Sequence, residues 1–384
     1  MSTDGTNVRH LYVHLPFCAH RCGYCDFVTV VGRSDHHGAY VDALLLELDR
    51  ERGVLADPIA TVFVGGGTPT FTEPEALRRL LGALPPAAEV TVEANPETVT
   101  PELAALLREG GVTRVSLGAQ TFAPRLLEVL ERVAGPDDVR RAVHTLRDAS
   151  FDNISLDLVY GIPGQKPSDL AHDLAEALAL APEHLSLYEL EAKPGTRFTH
   201  AWGDELVRQS EAMEGYFERV VETLTAAGYR WYETANFCLE GSAAGGRDFR
   251  AHHNLGYWQG HDYLGVGVGA VSTIGRGDGT AVRRRNLPAV FRYVAALSVG
   301  ADPPREIEPL EVATLREERL MLGLRLDEPL PLRAVEEAID GEALERLVER
   351  GLIERLRADG GEALRLTNRG RFLGDAVTAD LLVA

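Results

Sequence analysis

The sequence predicts an α/β fold: a parallel sheet covered by helices, followed by a smaller helical module. Three observations predict it. Between residue 10 and about residue 190, six short apolar runs alternate with six amphipathic stretches of helical period. The apolar runs are nearly continuous, as expected of parallel strands buried under helices. Beyond residue 310 the composition turns to Leu- and Arg-rich helical segments.

Strands are expected at 10–15 (HLYVHL), 60–64, 89–93, 113–118, 153–158 and 184–188, with helices at 37–52, 73–82, 101–109, 124–132, 137–148 and 167–180. Helix 101–109 has Thr100 before Pro101, a capping hydroxyl ahead of a proline at the first helical position. Six such units either curve into an open, partial TIM-like barrel or form a doubly wound sheet, and both architectures put functional residues at the C-terminal ends of the strands. Those ends carry a cysteine loop (18–25), Gly65-Gly66-Gly67-Thr68-Pro69, Glu93-Ala94-Asn95-Pro96, Gly118-Ala119-Gln120 and Asp157-Leu158-Val159-Tyr160-Gly161. A long helix at 204–227 leads to a strand at 229–235, then to His253-Asn254-Leu255-Gly256-Tyr257-Trp258 and a glycine-rich strand around 265–269. Residues 300–309, with three prolines, read as a linker. The segment beyond it combines helices with a two-stranded wing, similar to a winged helix. Its mixed charge favours a packing or lid role. The expected division is 1–235, 236–300 and 301–384.

A net charge of −19 over 384 residues argues against a nucleic-acid surface, which needs a basic patch, but leaves room for a small anionic ligand. No apolar run is long enough to span a membrane, and residues 1–9 lack the apolar stretch of a signal peptide. The cytoplasm is the expected compartment, with any membrane association peripheral and made through an acceptor.

Three of the four cysteines, Cys18, Cys22 and Cys25, stand in a C-x3-C-x2-C spacing, which rules against a disulfide framework. A structural zinc site asks for four ligands. A cubane iron–sulfur cluster held by three thiolates leaves one iron open for chemistry.

With Tyr12-Val13-His14-Leu15-Pro16-Phe17 before it and Asp26-Phe27 after it, this motif resembles the radical S-adenosylmethionine (SAM) proteins of the coproporphyrinogen-oxidase-like group. The resemblance implies a partial (β/α)6 barrel with a winged-helix-like C-terminal domain. It implies a [4Fe–4S] cluster on Cys18, Cys22 and Cys25, whose open iron is chelated by SAM and whose electron cleaves SAM to a 5′-deoxyadenosyl radical. It assigns Gly66, Gly67, Thr68 and Glu93 to SAM contacts, with Tyr12 and Tyr24 beside them. Gln120, Arg132 and Asp157 match positions that hold a second SAM in the oxidase-like relatives.

Within the group, oxidase-type members carry another cysteine where Phe27 stands, and a longer N-terminal segment than the seventeen residues preceding Cys18. Cys25-Asp26-Phe27 and the HNxxYW-like segment at 253–258 resemble instead the haem-chaperone branch. That implies haem as a ligand, an unidentified haem-accepting protein as a partner, and no coproporphyrinogen oxidase activity. His253 is the candidate axial ligand, with Tyr257 and Trp258 against the porphyrin. Two departures bear on the haem site: Glu131-Arg132-Val133-Ala134 and Gly269-Ala270-Val271-Ser272 each lack a histidine that the branch carries. Cys238 reads as a buried thiol. The alternatives are a radical SAM methyl- or methylene-transferase using two SAM molecules and, third, an oxygen-independent coproporphyrinogen III oxidase.

Overall fold

The computed structural model describes residues 8–192, 197–241, 243–358 and 361–383. The six βα units are present as β1 (His10–Leu15), β2 (Ile59–Gly66), β3 (Ala87–Ala94), β4 (Arg114–Gln120), β5 (Ile154–Tyr160) and β6 (His184–Glu189), connected through α1 (His37–Glu51), α2 (Pro74–Ala83), α3 (Pro101–Glu109), α4 (Pro124–Val129), α5 (Pro136–Asp148) and α6 (Pro167–Ala179). The Thr100 hydroxyl accepts from the Leu103 N–H at 3.2 Å, capping α3 as its sequence predicts. The six strands are parallel and lie in sequential order. Right-handed crossovers between sequential strands put every helix on the same face. This order decides between the two expected architectures: the sheet is the wall of an open barrel, with no strand reversal of the doubly wound kind.

The consequence is a two-faced wall. Leu11, Val13, Leu15, Val62, Val64, Val92, Leu117, Leu156 and Leu185 are fully buried in the main core. Each such side chain contributes roughly 1.5–3 kcal/mol of burial. The alternate residues face the barrel interior and are largely polar. Register places Thr61 beside Glu89, Glu93 beside Ser116, Ser116 beside Ser155, and Asp157 beside Ser186.

Six more strands extend the wall to twelve. α7 (Arg197–Ser210) and α8 (Met213–Ala226) lead to β7 (Tyr229–Glu233) and β8 (Asn236–Leu239), which close one edge antiparallel to β6. At the other edge β9 (Tyr263–Val266) runs parallel to β1, and β10 (Val271–Gly275), β11 (Ala281–Asn286) and β12 (Arg305–Leu310) follow antiparallel. Between the two sets, α9 (His252–Trp258) enters the barrel; α10 (Val290–Ser298) packs outside on α1.

Two expectations are corrected. The single helix at 204–227 is two, α7 and α8. No glycine or proline marks the break. Gln209 donates to the Ile162 and Gln165 carbonyls (3.1 and 2.9 Å), and Tyr216 donates to the Gln165 carbonyl (2.8 Å), so the chain is pinned to one loop from both sides of the break. The linker at 300–309 contributes β12. Its prolines are compatible with pairing because β12 is an edge strand with no neighbour beyond it.

The C-terminal part has its own core, including Leu320, Leu330, Leu347, Ile353, Leu364 and Leu381. α11 (Val312–Gly323), β13 (Leu330–Pro331), α12 (Gly341–Glu349), the hairpin β14 (Ile353–Ala358) and β15 (Gly361–Leu366), and α13 (Asn368–Phe372) and α14 (Gly374–Leu381) form a winged-helix-like unit. It is fastened to the sheet edge: Arg230 grips Asp327 through two hydrogen bonds (2.8 and 2.9 Å), Arg325 reaches Glu233 (2.8 Å), and Arg371 lies over the Trp231 ring at 3.5 Å.

The edge extension depends on one buried acid. Glu47 on α1 accepts from the Tyr293 hydroxyl (2.6 Å), Gly267 N–H (2.8 Å), Asn286 amide (2.7 Å) and Arg305 guanidinium (3.2 Å). Glu47→Ala leaves these donors unpaired and should cost on the order of 3 kcal/mol in urea unfolding. Glu47→Gln, which keeps an acceptor oxygen, should cost less. A loss below about 1 kcal/mol for Ala would show that the network is not what holds β11 and β12 to the barrel.

Candidate cofactor and ligand site

The C-terminal ends of β1 to β5 converge on the cysteine loop. Cys18 continues from β1 through a two-residue bridge, Phe17–Cys18 with Val30–Val31, and is 7% exposed. Cys22 and Cys25 are partly exposed on the loop that follows. Burial raises the Cys18 thiol, the Thr68 hydroxyl bonded to it (3.5 Å) lowers it, and the other two thiols raise it again, so the three sulfurs lie within each other's field. The described His, Cys, Asp and Glu side chains form no group that could hold a single metal ion. A cubane makes no such demand, because each thiolate binds a different iron. No fourth cysteine stands on this rim, since Cys238 lies buried beside Tyr232, Phe249 and Leu255 with its thiol pushed up to about 12 by burial. The residues fit a three-cysteine cluster.

Around the sulfurs runs a hydrogen-bond chain. Arg132 donates to Cys22 Sγ (3.6 Å), to Asn95 Oδ1 (2.9 Å) and to the Gly118 carbonyl (3.1 Å). The Asn95 amide donates to Thr68 Oγ1 (3.2 Å), which donates to Cys18. One guanidinium thus ties three strand ends to two thiols. Gln120 joins the group at a β-bulge with φ of 63°, a left-handed conformation that few non-glycine residues adopt. A Cβ on Gly118 would come within 2.8 Å of the Gln120 amide. Tyr24 turns inward, edge-on to Phe198, in a small cluster with Leu126 and Ile162.

The glycine loop has a structural reason of its own. Gly66 has φ of 117°, and a Cβ there would lie 2.7 Å from the His14 ring; a Cβ on Gly67 would meet the Pro16–Phe17 backbone at 2.8 Å. The glycines are therefore required by contacts with β1 and the start of the cysteine loop, whatever ligand the loop meets. The Gly66 N–H donates to Glu93 Oε2 at 3.0 Å. Burial is the main cause that raises Glu93, to about 7, and the nearby Asp157 adds to it. Asp157 accepts from the Ser116 hydroxyl (2.9 Å) and the Ser155 hydroxyl (3.3 Å), and burial raises it too. Arg114 offsets part of both shifts. Two carboxylates on one inner wall suit a cationic ligand, and SAM carries a sulfonium and an ammonium.

Tyr12, partly buried on β1, lies within the field of Glu93, which adds to the rise that burial gives its hydroxyl. Its hydroxyl donates to His14 Nδ1 (3.0 Å), while His14 Nε2 donates to the Val28 carbonyl (2.9 Å), bracing the far side of the cysteine loop. His14 and Asn95 are the residues that sequence reasoning missed here. Asn95 had a signal, its place at a strand end beside Glu93. His14 had one only in the inward alternation of β1.

Tyr12 and His14 open onto a cavity of about 780 Å3, within the range of small-molecule sites. Its walls are Phe27 and Val28 of the cysteine loop, Tyr257 and Trp258 of α9, Tyr263, Thr273 and Arg283 of the sheet, and Leu315, Arg319 and Leu322 of α11; His261, Gly269, Ala270 and Val271 also line it. Val271, one of the positions where histidine is missing, is thus a wall of this cavity.

His253 is not. It is 1% exposed, and both ring nitrogens are engaged: Nδ1 with Thr61 Oγ1 (2.8 Å) and Nε2 with the Tyr257 hydroxyl (2.9 Å). Its ring stacks on Phe63. Burial, with His10 beside it, lowers it to about 3, so it is a neutral imidazole. Glu89 accepts from the His252 and His253 N–H groups (3.0 and 2.9 Å), anchoring the start of α9 with an anion. In this structure both ring nitrogens of His253 are taken by hydrogen bonds, and its exchange of the Tyr257 hydroxyl for haem iron belongs to the proposed function. Tyr257 does face the cavity.

A partial barrel whose rim gathers three cysteines, a glycine loop and inward carboxylates is the arrangement of a radical SAM protein. Residues 12–177 match the Radical SAM superfamily, and residues 310–373 match the HemN C-terminal domain. In structure the chain is similar to coproporphyrinogen III oxidase (HemN) from Escherichia coli, with a TM-score of 0.78 over 98% of this chain and 90% of that one, at 22% identity. In sequence it is 36% identical to the heme chaperone HemW of Mycobacterium tuberculosis over 97% of this chain and 94% of that protein. It is 34% identical to HemW of Bacillus subtilis over 96% and 98%, and 35% identical to HemW of Escherichia coli over 71% and 72%. The chain belongs to the HemW family of radical SAM proteins.

The carboxylate pair has a measurable consequence. Folding raises Glu93 from its ordinary 4.5 to about 7, so between those pH values the folded state binds more protons than the unfolded one. Stability should therefore fall as pH rises from about 4.5 to 7 and level off above it. Glu93→Gln should flatten that part of the pH–stability curve measured by thermal unfolding. An unchanged curve would mean that Glu93 is ionised throughout.

Proposed function

We propose that this protein binds haem and delivers it to an acceptor protein, and that it holds a [4Fe–4S] cluster on Cys18, Cys22 and Cys25 with SAM on the open iron. The observation that carries the reading is the continuity of the cysteine loop with the cavity. Asp26, Phe27 and Val28 leave the last cysteine and become one wall of a large, partly aromatic pocket. The cluster, once bound, supplies electron transfer to SAM. The protein's own residues position and shield it: Thr68 and Arg132 direct donors at Cys18 and Cys22, and Tyr24 packs behind the loop. SAM is assigned to the interior between the cluster and the Gly66–Thr68 loop, with Glu93 for its ammonium group.

Gln120, Arg132 and Asp157 do not form a second SAM site in this reading. Arg132 is committed to Cys22, Asn95 and the Gly118 carbonyl, and Asp157 to serine hydroxyls. This reading therefore favours the chaperone over the two-SAM transferase.

Anaerobic reconstitution with iron and sulfide should give a cluster absorbance that Cys18→Ala, Cys22→Ala and Cys25→Ala each abolish. Titration with haem should give a saturable Soret shift, and adding coproporphyrinogen should not raise the 5′-deoxyadenosine formed from SAM. A cluster surviving all three cysteine changes, or a wild-type protein that binds no haem, would overturn the proposal.

A further inference from the structure

Resting on the reading of the protein as a haem carrier, we propose that a second cavity is where the haem-accepting protein docks. It is a groove of about 1100 Å3 between the ends of β5 and β6 and the C-terminal unit. The occupant it fits is an amphipathic helix, apolar on the face it buries and basic along its flank.

The walls of the groove are those of a helix site. Tyr160 and Tyr188 at the ends of β5 and β6 form its floor, and Leu206, Met213 and Phe217 of α7 and α8 form one side. On the other side stand Met321 of α11 and Leu373, at the start of α14. Met321, Leu373 and Tyr188 are 49%, 44% and 43% exposed, so folding alone leaves them uncovered. The volume exceeds the range of about 300–1,000 Å3 usual for a small-molecule pocket. α14 buries Val377 and Leu381 in its own core and turns a different face to the groove, where Leu373, Ala376 and Ala379 follow at helical spacing of three. Two of those three side chains are small, which lets the axis of another helix come close. A groove of this kind takes the apolar face of a helix through anchors three and four residues apart.

Charge decides the polarity of the occupant. Glu189 and Glu191 reach the groove from the β6 side and Asp375 from α14. Glu189 is raised by its burial and then by Glu191 and Asp375, so carboxylates from both sides lie in one field. The two arginines of the lining are engaged elsewhere: Arg325 bonds Glu233 (2.8 Å), and Arg371 bonds the Trp231 carbonyl (2.8 Å) and lies over its ring. A basic helix gains from this field and is steered by it. An anionic ligand such as haem is opposed by it.

Continuity with the proposed ligand sites supplies the independent observation. Trp258 and Leu322 line both the groove and the 780 Å3 cavity, so the two voids share a wall of two side chains. On the floor, the Tyr188 hydroxyl is raised by burial, then by Asp157, and to a smaller degree by Glu233 and Glu93. The groove therefore abuts the inner carboxylate wall as well. A partner helix seated in it lies next to the cavity that would release the cargo.

The test uses the reconstituted full chain and a fluorescein-labelled Leu/Lys amphipathic peptide about five helical turns long, followed by anisotropy at physiological salt. It should bind saturably, one to one, whereas its Leu/Glu counterpart should not bind. Glu189→Lys with Asp375→Lys should weaken it about tenfold, as should Leu373→Glu at an exposed position. Glu75→Lys with Glu109→Lys makes the same change of net charge on exposed sites of the outer helices α2 and α3 and should leave affinity unchanged. A benzophenone on the apolar face of the peptide should crosslink to α8 or α14. Equal weakening by the two double variants would reduce the binding to net charge and sink the docking site. Mutual displacement of peptide and haem, with haem weakened by Leu373→Glu, would make the groove a haem site instead. A dimer that Leu373→Glu splits, with the peptide unbound, would give the groove to a second copy of the chain. If wild type binds the peptide in the expected pattern but binds no haem, the carrier reading falls and the groove stands as a site for a basic helix.

Discussion

The order of the six parallel strands constrains everything else in this molecule. Because each crossover is right-handed and each strand is laid beside the previous one, all the covering helices fall on one side. The other side of the sheet is left without a layer of its own, so its inward residues must find partners among themselves, in α9, or in ligands. The serines around Asp157, the Thr61–histidine chain and the Glu93 contact with Gly66 are those partnerships. The places where they stop, at the cysteine loop and at the wall beside His261, are the places open to ligands.

The same constraint explains what the HNxxYW-like segment does. A barrel interior this polar cannot be closed by an apolar plug, since buried donors and acceptors would be left unpaired at roughly 1–3 kcal/mol each. α9 closes it with polar groups matched one for one: its first N–H groups to Glu89, His253 to Thr61, and Tyr257 to His253. Such a helix is demanding in sequence for structural reasons alone. The polar residues of this segment therefore each have a structural partner inside the barrel.

Much of the fold was legible in the sequence because it rests on local pattern: apolar runs of strand length, capped helices such as the one at Thr100, and the C-x3-C-x2-C spacing. The same holds for the rim, where Cys18, Cys22, Thr68, Gln120 and Arg132 do come together. What the sequence concealed depends on tertiary partners. β12 looked like a linker because an edge strand can carry prolines, and the break between α7 and α8 comes from hydrogen bonds to a loop some fifty residues earlier. Gly66 and Gly67 looked like ligand-contact glycines, but what excludes a Cβ is His14 and the Pro16–Phe17 backbone. His253 drew attention as a motif histidine, but its partners Thr61 and Tyr257 could be read only from the folded barrel.

Charge is distributed unevenly along the interior. Toward β3 and β5 the wall carries Glu93 and Asp157, both raised by burial, with Asp157 adding to the rise of Glu93 and Arg114 offsetting part of both. On the cavity side, toward α11, the wall mixes Arg283 and Arg319 with Asp26, Asp262 and Glu318. A ligand with cationic groups gains on the first side, whereas the second offers both signs of charge. The cysteine loop lies between them, with Thr68 and Arg132 against its first two cysteines and Phe27 and Val28 on the cavity side. The loop that carries the cysteines is thus the shared boundary between the inner carboxylate wall and the cavity, so the sites proposed for SAM and for haem adjoin across it.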